Sequence, residues 1–276
     1  MIPTLTATYF IRQIPTDGHS PLLITADDQE NYYVKYLNSI KIEEFAMLVY
    51  EMIAVKLLKE LNLPCAEQAL IHIPPSLIPK EVSYSRKWKS DAIAWGSKEI
   101  ENAVLVSELN SFRNKNIFNQ IQNAHDIIRI ALFDLWVDNN DRKQTNYNLI
   151  IKQNNSRIKF VPIDHGAIFG GFNRISVFNE TNICSANNKL ISSDLFRDIV
   201  SRIPLEKQLQ VSKEFLNLLS QIQIKEVLND VFQNIPASWK INETLKDRIE
   251  KFLLSDLRKH SMSNIINSKL PLKPKK

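Results

Sequence analysis

The order of elements along the 276 residues predicts an α+β chain in two lobes, strand-rich first and helix-rich second. Short β-branched and aromatic runs between turn clusters fill the first third, and helical periodicity fills the last. A hairpin pattern interrupts the helical part between them. The expected division puts a small antiparallel-sheet lobe at 1–109, a mostly helical lobe at 110–261 and a disordered basic tail at 262–276.

The runs TATYFIRQI, LLITADD and NYYVKYL read as an antiparallel meander, with PTDGHSP as the turn between the first two. A helix is predicted from Ile42 to Leu61, with Phe45, Leu48, Met52, Val55 and Leu58 at helical spacing and Asn62 to Pro64 closing it. Residues 65–80 return to strand and end at Pro74, Pro75 and Pro79. The stretch 81–101 is mixed and carries Trp88 and Trp95; ENAVLVSEL at 101–109 reads as a further strand. Ile121 to Val137 is the next helix, and it runs into the polar VDNNDRKQTN. Then YNLII, a KQNNS turn and RIKFVPID make a hairpin by spacing. Four helical stretches follow between Ser193 and Ser261, the first with Ser193 or Asp194 as its cap.

Composition excludes several classes. With 44% hydrophobic and 24% charged residues the chain is neither collagen-like, nor coiled-coil, nor wholly disordered. No apolar run reaches the roughly 18 residues of a membrane span. MIPTLTATYF lacks the basic and apolar regions of a secretory signal, so a cytoplasmic setting is expected. Cys65 and Cys184 alone can build neither a disulfide framework nor a thiolate zinc site. Five glycines leave little for phosphate loops that use three. There is no G-x-G-x-x-G, and Gly166 and Gly171 are followed by Phe172 and Asn173, where a Walker A loop needs Lys and Ser or Thr. Part of the +5 net charge comes from the tail KLPLKPKK, so direct nucleic-acid binding is not expected.

The chemistry lies in the polar stretch and the hairpin. Asp141 is followed five residues later by Asn146, and Asp164-His165-Gly166 comes at the end of an apolar strand. Phosphoryl transfer needs a carboxylate that holds the acceptor hydroxyl and oxygen ligands for magnesium on the triphosphate. Protein-kinase catalytic loops have the same Asp-to-Asn spacing, and their metal-binding Asp likewise follows a short hairpin and precedes a glycine. Singly, Asp141 and Asn146 would fit Asx turns of a polar loop. Asp164 after FVPI, where a solvent-seeking Asp is out of place, decides for the chemical reading.

A lysine for the phosphates and a helical acid to hold it should lie upstream. Lys35 shares a strand face with Tyr33 and Leu37, an unusual place for a lysine that seeks only water. Glu51 interrupts the apolar face of the following helix, and Glu44 is the alternative partner one heptad earlier. Gly18, His19 and Ser20 in PTDGHSP would cover the phosphates.

The segments TDGHSPLLITADDQENYYVKY, LVYEMIAVKLLKELNLP, AWGSKE, LFDLWVDNNDRKQTNYNLI and FVPIDHGAIFGG together resemble the bacterial HipA-like kinases, in the compact branch without a long N-terminal subdomain. The catalytic loop and metal segment are also similar to those of type II phosphatidylinositol 4-kinases. The resemblance implies a two-lobed protein-kinase-like fold with ATP and Mg2+ in the cleft. It implies that Lys35 binds phosphate and Glu51 holds it, that Asp141 is the catalytic Asp, and that Asn146 and Asp164 bind the metal. It also implies a serine/threonine protein substrate of unknown identity and a possible antitoxin-type partner. AWGSKE and VLVSEL are both candidates for the adenine hinge. The chain departs from eukaryotic-type protein kinases in having one glycine in the first loop, no H-R-D and no A-P-E. A small-molecule or lipid head-group kinase and a nucleotide-binding pseudokinase are the competing readings.

Overall fold

A computed structural model describes residues 1–276 except 17–19, 37–43, 83–87, 89–91, 107–111, 113, 155–156, 172–176 and 274–276. Five strands close a barrel in the order β1 (Thr4–Gln13), β2 (Leu22–Ala26), β3 (Asn31–Lys35), β5 (Ala92–Lys98), β4 (Gln68–Ile73). The first three form the expected antiparallel meander, with Leu23 opposite Tyr33 and Leu22 opposite Val34. Closure comes from a pair outside that expectation: β1 also lies parallel to β4, with Thr4 opposite Leu70. Two register irregularities in β1 bend it far enough to serve both neighbours.

Period-2 alternation then sorts the side chains. Leu22, Ile24, Tyr32, Val34, Ala69, Ile71, Ala92 and Ala94 fill the barrel. The opposite face of β4 and β5 presents Leu70 and Trp95 to the helix α1 (Phe45–Glu60). Sequence periodicity predicts one apolar stripe on α1, but thirteen of its 16 residues are buried. It is covered on one side by the barrel and on another by helices of the second lobe, so a single stripe would not suffice.

The second lobe begins with a sheet ordered β6 (Ala103–Leu105), β7 (Leu149–Asn154), β8 (Arg157–Pro162). The strand expected to belong to the first lobe therefore pairs with the hairpin, Val104 opposite Ile151. A short α2 (Lys115–Phe118) precedes α3 (Asp126–Trp136). The predicted start of α3 at Ile121 is displaced because Ile121 bridges to Ile158 instead. The remaining helices are α4 (Asp194–Val200), α5 (Leu205–Gln221), α6 (Ile224–Gln233), α7 (Thr244–Leu254) and α8 (Asp256–Lys269). Ser193 caps α4, its hydroxyl accepting from the Phe196 amide at 3.1 Å.

The expectation of a disordered tail from 262 is corrected, since α8 continues to Lys269. Met262, Ile266 and Leu270 are buried at intervals of four with Ile265 half-buried beside them, a narrow stripe among serines, asparagines and lysines. That narrowness hides the period in the sequence. The segment after it is tied to α5, where Gln208 accepts from the Leu272 amide at 2.8 Å and donates to the Leu272 carbonyl at 3.0 Å.

The lobes meet through Trp239. Its ring stacks on Phe45 of α1 with centroids 6.0 Å apart, and its indole N–H donates to the Ile93 carbonyl of β5 at 2.8 Å. Trp239→Ala should cost about 3–5 kcal/mol of stability, as large aromatic truncations in cores do. Trp239→Phe, which keeps the ring contact and drops the donor, should cost about 1–2 kcal/mol. Urea unfolding measures both, and a loss below 1 kcal/mol for the alanine variant would show that this contact does not hold the lobes.

Candidate active site

Lys35 ends β3 opposite Trp95, on the face that looks out of the barrel toward α1. Its ammonium lies 2.6 Å from Glu51 Oε1 and 2.7 Å from Asp164 Oδ1, so three segments far apart in sequence converge on one cation. Glu51 is buried, and its second oxygen accepts from the His165 amide at 2.9 Å. Burial alone would pull the Lys35 ammonium down, but the carboxylates of Asp164 and Glu51 outweigh it and hold Lys35 above the ordinary lysine value. Burial pushes the Glu51 carboxyl up, opposed by Lys35. Of the two acids considered for Lys35, the structure pairs it with Glu51; Glu44 stands at the N-terminal end of α1.

The polar stretch after α3 is held by its own side chains. Asp138 takes a left-handed φ of 52°, which turns the chain back on the helix end. Asp134 Oδ1 accepts from Asn139 Nδ2 at 3.0 Å, and Asn139 Oδ1 accepts from the Asp141 amide at 3.1 Å. Asp141 Oδ2 receives two side-chain amides, Asn146 Nδ2 at 3.1 Å and Asn148 Nδ2 at 2.8 Å. Lys143 Nζ stands 4.0 Å from the other oxygen, Oδ1. Reciprocal backbone bonds between Lys143 and Asn146 of 2.9 and 3.0 Å make the turn that sets Asn146 against Asp141.

Arg142 binds this loop to the segment that bears Asp164. Its fully buried guanidinium pairs with Asp134 at 2.8 Å and donates to the carbonyls of Tyr147 at 2.8 Å and Ile163 at 3.1 Å, and also to that of Asn148. It lies 3.0 Å from His165 Nε2. A guanidinium only donates, so Nε2 must be the acceptor and the ring proton sits on Nδ1. Burial, reinforced by Arg142, holds the His165 pKa well below the usual histidine value, which keeps the ring neutral. The Ile163 amide donates to the Asn148 carbonyl at 2.9 Å, so Asn146 and Asp164 lie two residues and one residue from a shared contact.

Beyond Asp164, itself at a φ of 56°, the chain turns tightly against α1 and the loop. A Cβ on Gly166 would come 3.3 Å from Met47 Cε, so glycine lets this turn approach the helix. Phe169 is also left-handed and is locked between Tyr50 of α1 and Phe178, with ring centroids at 5.0 and 5.3 Å. The Gly170 amide donates to the Asp138 carbonyl at 3.1 Å, and the buried ammonium of Lys189 donates to the Asp138 carboxylate.

The structure therefore brings Lys35, Glu51 and Asp164 into contact, and Asp141 into contact with Asn146. Gly18 and His19 lie outside the described residues. Ser20 is buried at a φ of 44°, its amide donating to Thr16 Oγ1 at 3.0 Å and its hydroxyl to the Thr16 carbonyl at 3.4 Å. AWGSK lies within β5 and VL within β6, while 107–109 are outside the described residues. The crossing between these strands starts at Glu99, whose carboxylate accepts from Asn31 Nδ2 at 2.9 Å and the Tyr33 hydroxyl at 3.2 Å. Sequence reasoning gave no role to Arg142, Asn148 or Lys189. Arg142 stood inside the quoted segment VDNNDRKQTN, and Asn148 repeats Asn146 at a spacing of two; no local signal marks Lys189 as buried.

A cation held by two carboxylates, beside a third carboxylate backed by amides, can bind a triphosphate and orient a hydroxyl toward it. The barrel with its buried helix, the hairpin and the helical lobe define a kinase-like fold, and the protein is a kinase. The family of HipA-like kinases matches residues 9–265, and the chain belongs to that family. Among solved structures, the Helicobacter pylori proinflammatory kinase CtkA is similar with a TM-score of 0.56 and 14% identity, over 97% of this chain and 98% of that one. The Golgi casein kinase with Mn/ADP bound is similar with a TM-score of 0.50 and 10% identity, over 94% of this chain and 73% of that one. At such identities the likeness is one of fold. No curated protein sequence matches the chain.

Arg142→Met should cost about 3–5 kcal/mol, because it leaves the Asp134 carboxylate buried and unpaired. Adding Asp134→Leu should restore part of that loss, since removing both charges is less damaging than removing one. Chemical denaturation of Arg142→Met, Asp134→Leu and the double variant checks this, and a double variant less stable than the sum of the single losses predicts would refute the pairing.

Proposed function

We propose that the chain is an ATP- and magnesium-dependent kinase that phosphorylates a serine or threonine of a protein. The observation that carries it is the contact of Lys35 with both Glu51 and Asp164, in a lobe whose preceding loop holds Asp141 by one oxygen at the lining of a pocket. Family membership supports a toxin-type setting with an antitoxin-type partner, and the neighbour solved with Mn/ADP supports nucleotide and a divalent metal.

In this reading Lys35 holds the α and β phosphates and Glu51 fixes its position. The crossing segment from Glu99 carries the adenine, and the loop of Gly18, His19 and Ser20 covers the phosphates. Asp164 and the amide oxygen of Asn146 suit magnesium, which takes hard oxygen ligands and accepts one or two from protein alongside phosphate oxygens. When bound, the metal neutralises charge on the transferring phosphoryl group. Asn146 spends its Nδ2 on Asp141, which leaves its oxygen as the ligand atom. Asn146 and Asn148 fix one oxygen of Asp141, and the other accepts the acceptor hydroxyl's proton. As the hydroxyl oxygen bonds to the γ-phosphorus, the bond from that phosphorus to the β,γ-bridging oxygen breaks and ADP leaves. The protein's contribution is position and charge.

Asp141→Asn keeps an oxygen for the two amides and puts an NH2 where the proton acceptor stood. Transfer should fall by on the order of 10²-fold or more while Mg-ATP still raises the melting temperature. Asp164→Ala should abolish that thermal shift instead, since a ligand stabilises only a state it binds. Equal transfer by parent and Asp141→Asn, or an unchanged shift in Asp164→Ala, would remove the residue concerned from the mechanism.

Lys35→Met should weaken phosphate binding and transfer together. Glu51→Gln should act through the lysine, so the double variant should be little worse than Lys35→Met. Steady-state kinetics on the three variants decide, and additive losses would show that the two side chains work independently.

A further inference from the structure

Arg258 on α8 is fully buried, and the site around Lys35 and Asp141 gives it no task. Its guanidinium donates to the Leu135 carbonyl at 3.2 Å and the Trp136 carbonyl at 2.6 Å, on the last two residues of α3. Carbonyls at a helix C-terminus lack partners within the helix, and a cation there also meets the negative end of the helix dipole. The next carbonyl, that of Val137, accepts from the Phe169 amide at 2.6 Å. Three consecutive carbonyls are therefore engaged where the chain leaves α3, and Asp141 follows Trp136 by five residues.

The same guanidinium reaches two other segments. It lies over Phe252, 3.7 Å from the ring centroid, and Phe252 stands edge-on to Phe169 and Phe178 with centroids 5.4 Å away. It also donates to the Asn182 carbonyl at 2.5 Å. On either side of Arg258, Ser255 Oγ donates to the Glu180 carbonyl at 2.7 Å and Ser261 Oγ accepts from the Cys184 amide at 2.9 Å. Residues 255, 258 and 261, at a spacing of three on one helix face, thus stitch alternate residues of 180–184 onto α8 and its cap. Five residues beyond Cys184, the buried ammonium of Lys189 bonds the Asp138 carboxylate, which returns the stitched segment to the loop bearing Asp141.

Resting on the kinase reading above, we propose that Arg258 is a positioning residue for phosphoryl transfer. It aims the loop bearing Asp141 through the end of α3 and through the segment that Lys189 closes on Asp138. Arg142 joins that loop to the segment bearing Asp164, and Arg258 fixes where the joined pair points. The contacts among Lys35, Glu51 and Asp164 are made by β3, α1 and the end of the hairpin, not by α8. Loss of Arg258 should therefore leave nucleotide binding in place and misalign the transfer, where a misplacement of about 1 Å can cost on the order of 10²-fold in rate. Lysine at this position keeps a cation at the helix end but lacks the planar fork that serves three carbonyls at once.

The test uses the full chain with labelled ATP, magnesium and a randomised serine/threonine peptide library. It compares Arg258→Met, Arg258→Lys and Leu245→Ala, a core truncation at the opposite end of α7 from Phe252. All are assayed where urea curves show each to be folded. Arg258→Met should lower kcat by about tenfold or more, with KM for ATP and the Mg-ATP thermal shift near those of the parent. Arg258→Lys should recover part of that loss, and Leu245→Ala, which only costs stability, should keep the parent's kcat. Amide hydrogen exchange gives a readout that needs no acceptor: in Arg258→Lys it should rise at 137–141 and 180–184 and stay unchanged in β3. An unchanged kcat in Arg258→Met, an equal kcat loss in Leu245→Ala, or unchanged exchange at 137–141 would overturn the proposal, as would failure of both arginine variants to fold. A parent that transfers no phosphate and gains no stability from Mg-ATP would instead bring down the kinase reading, and the exchange pattern would still decide whether Arg258 aims the loop.

Discussion

A single guanidinium with no exposure to water organises the catalytic half of this molecule. Arg142 neutralises Asp134 on α3, caps carbonyls on both sides of the hairpin and orders the His165 ring. An isolated buried cation would be prohibitively costly, so each of these partners is obligatory. The loop bearing Asp141 and the segment bearing Asp164 are thereby one object. What reaches Lys35 is a preassembled edge of the second lobe.

The link across the cleft is of the same kind, smaller in extent. Glu51 serves Lys35 with one oxygen and the His165 amide with the other. The helix that carries it is packed from several directions and joined to the segment after Asp164 by the contact of Tyr50 with Phe169. Lys56 of α1 also pairs with Asp230 of α6. The positions of the lysine, of its acid and of the segment bearing Asp164 are consequently set together by burial and charge.

Much of this was legible in the residues. Strand alternation put Lys35 on one face with Tyr33 and Leu37, an odd place for a water-seeking lysine, and an acid within an apolar helix marked Glu51 because a charge there needs a partner. The spacing from Asp141 through Asn146 to Asp164 survives in sequence because a tight loop and a short hairpin fix the geometry locally. Three features were not legible, for reasons of distance or dilution. The parallel pairing of β1 with β4 joins strands separated by the whole of α1, and the pairing of β6 with the hairpin was not legible because strand pattern names no partner. The α8 stripe is narrow and diluted by polar residues. Arg142 and Lys189 look like any solvent-seeking base, since only tertiary structure closes over them.

The shortage of glycine has a further consequence. Ten non-glycine residues among those described adopt left-handed backbone, and six of them are Asn or Asp, including Asp138, Asn148 and Asp164 around the loop. Each such residue carries some steric penalty in the native chain. Each also has fewer conformations when the chain is unfolded than a glycine would, which narrows the denatured ensemble and partly offsets that penalty. Turns built this way trade local comfort for a smaller entropy loss on folding, so a glycine introduced at Asp138 or Asn148 would relieve the backbone while loosening the unfolded chain and deleting a hydrogen-bonding side chain.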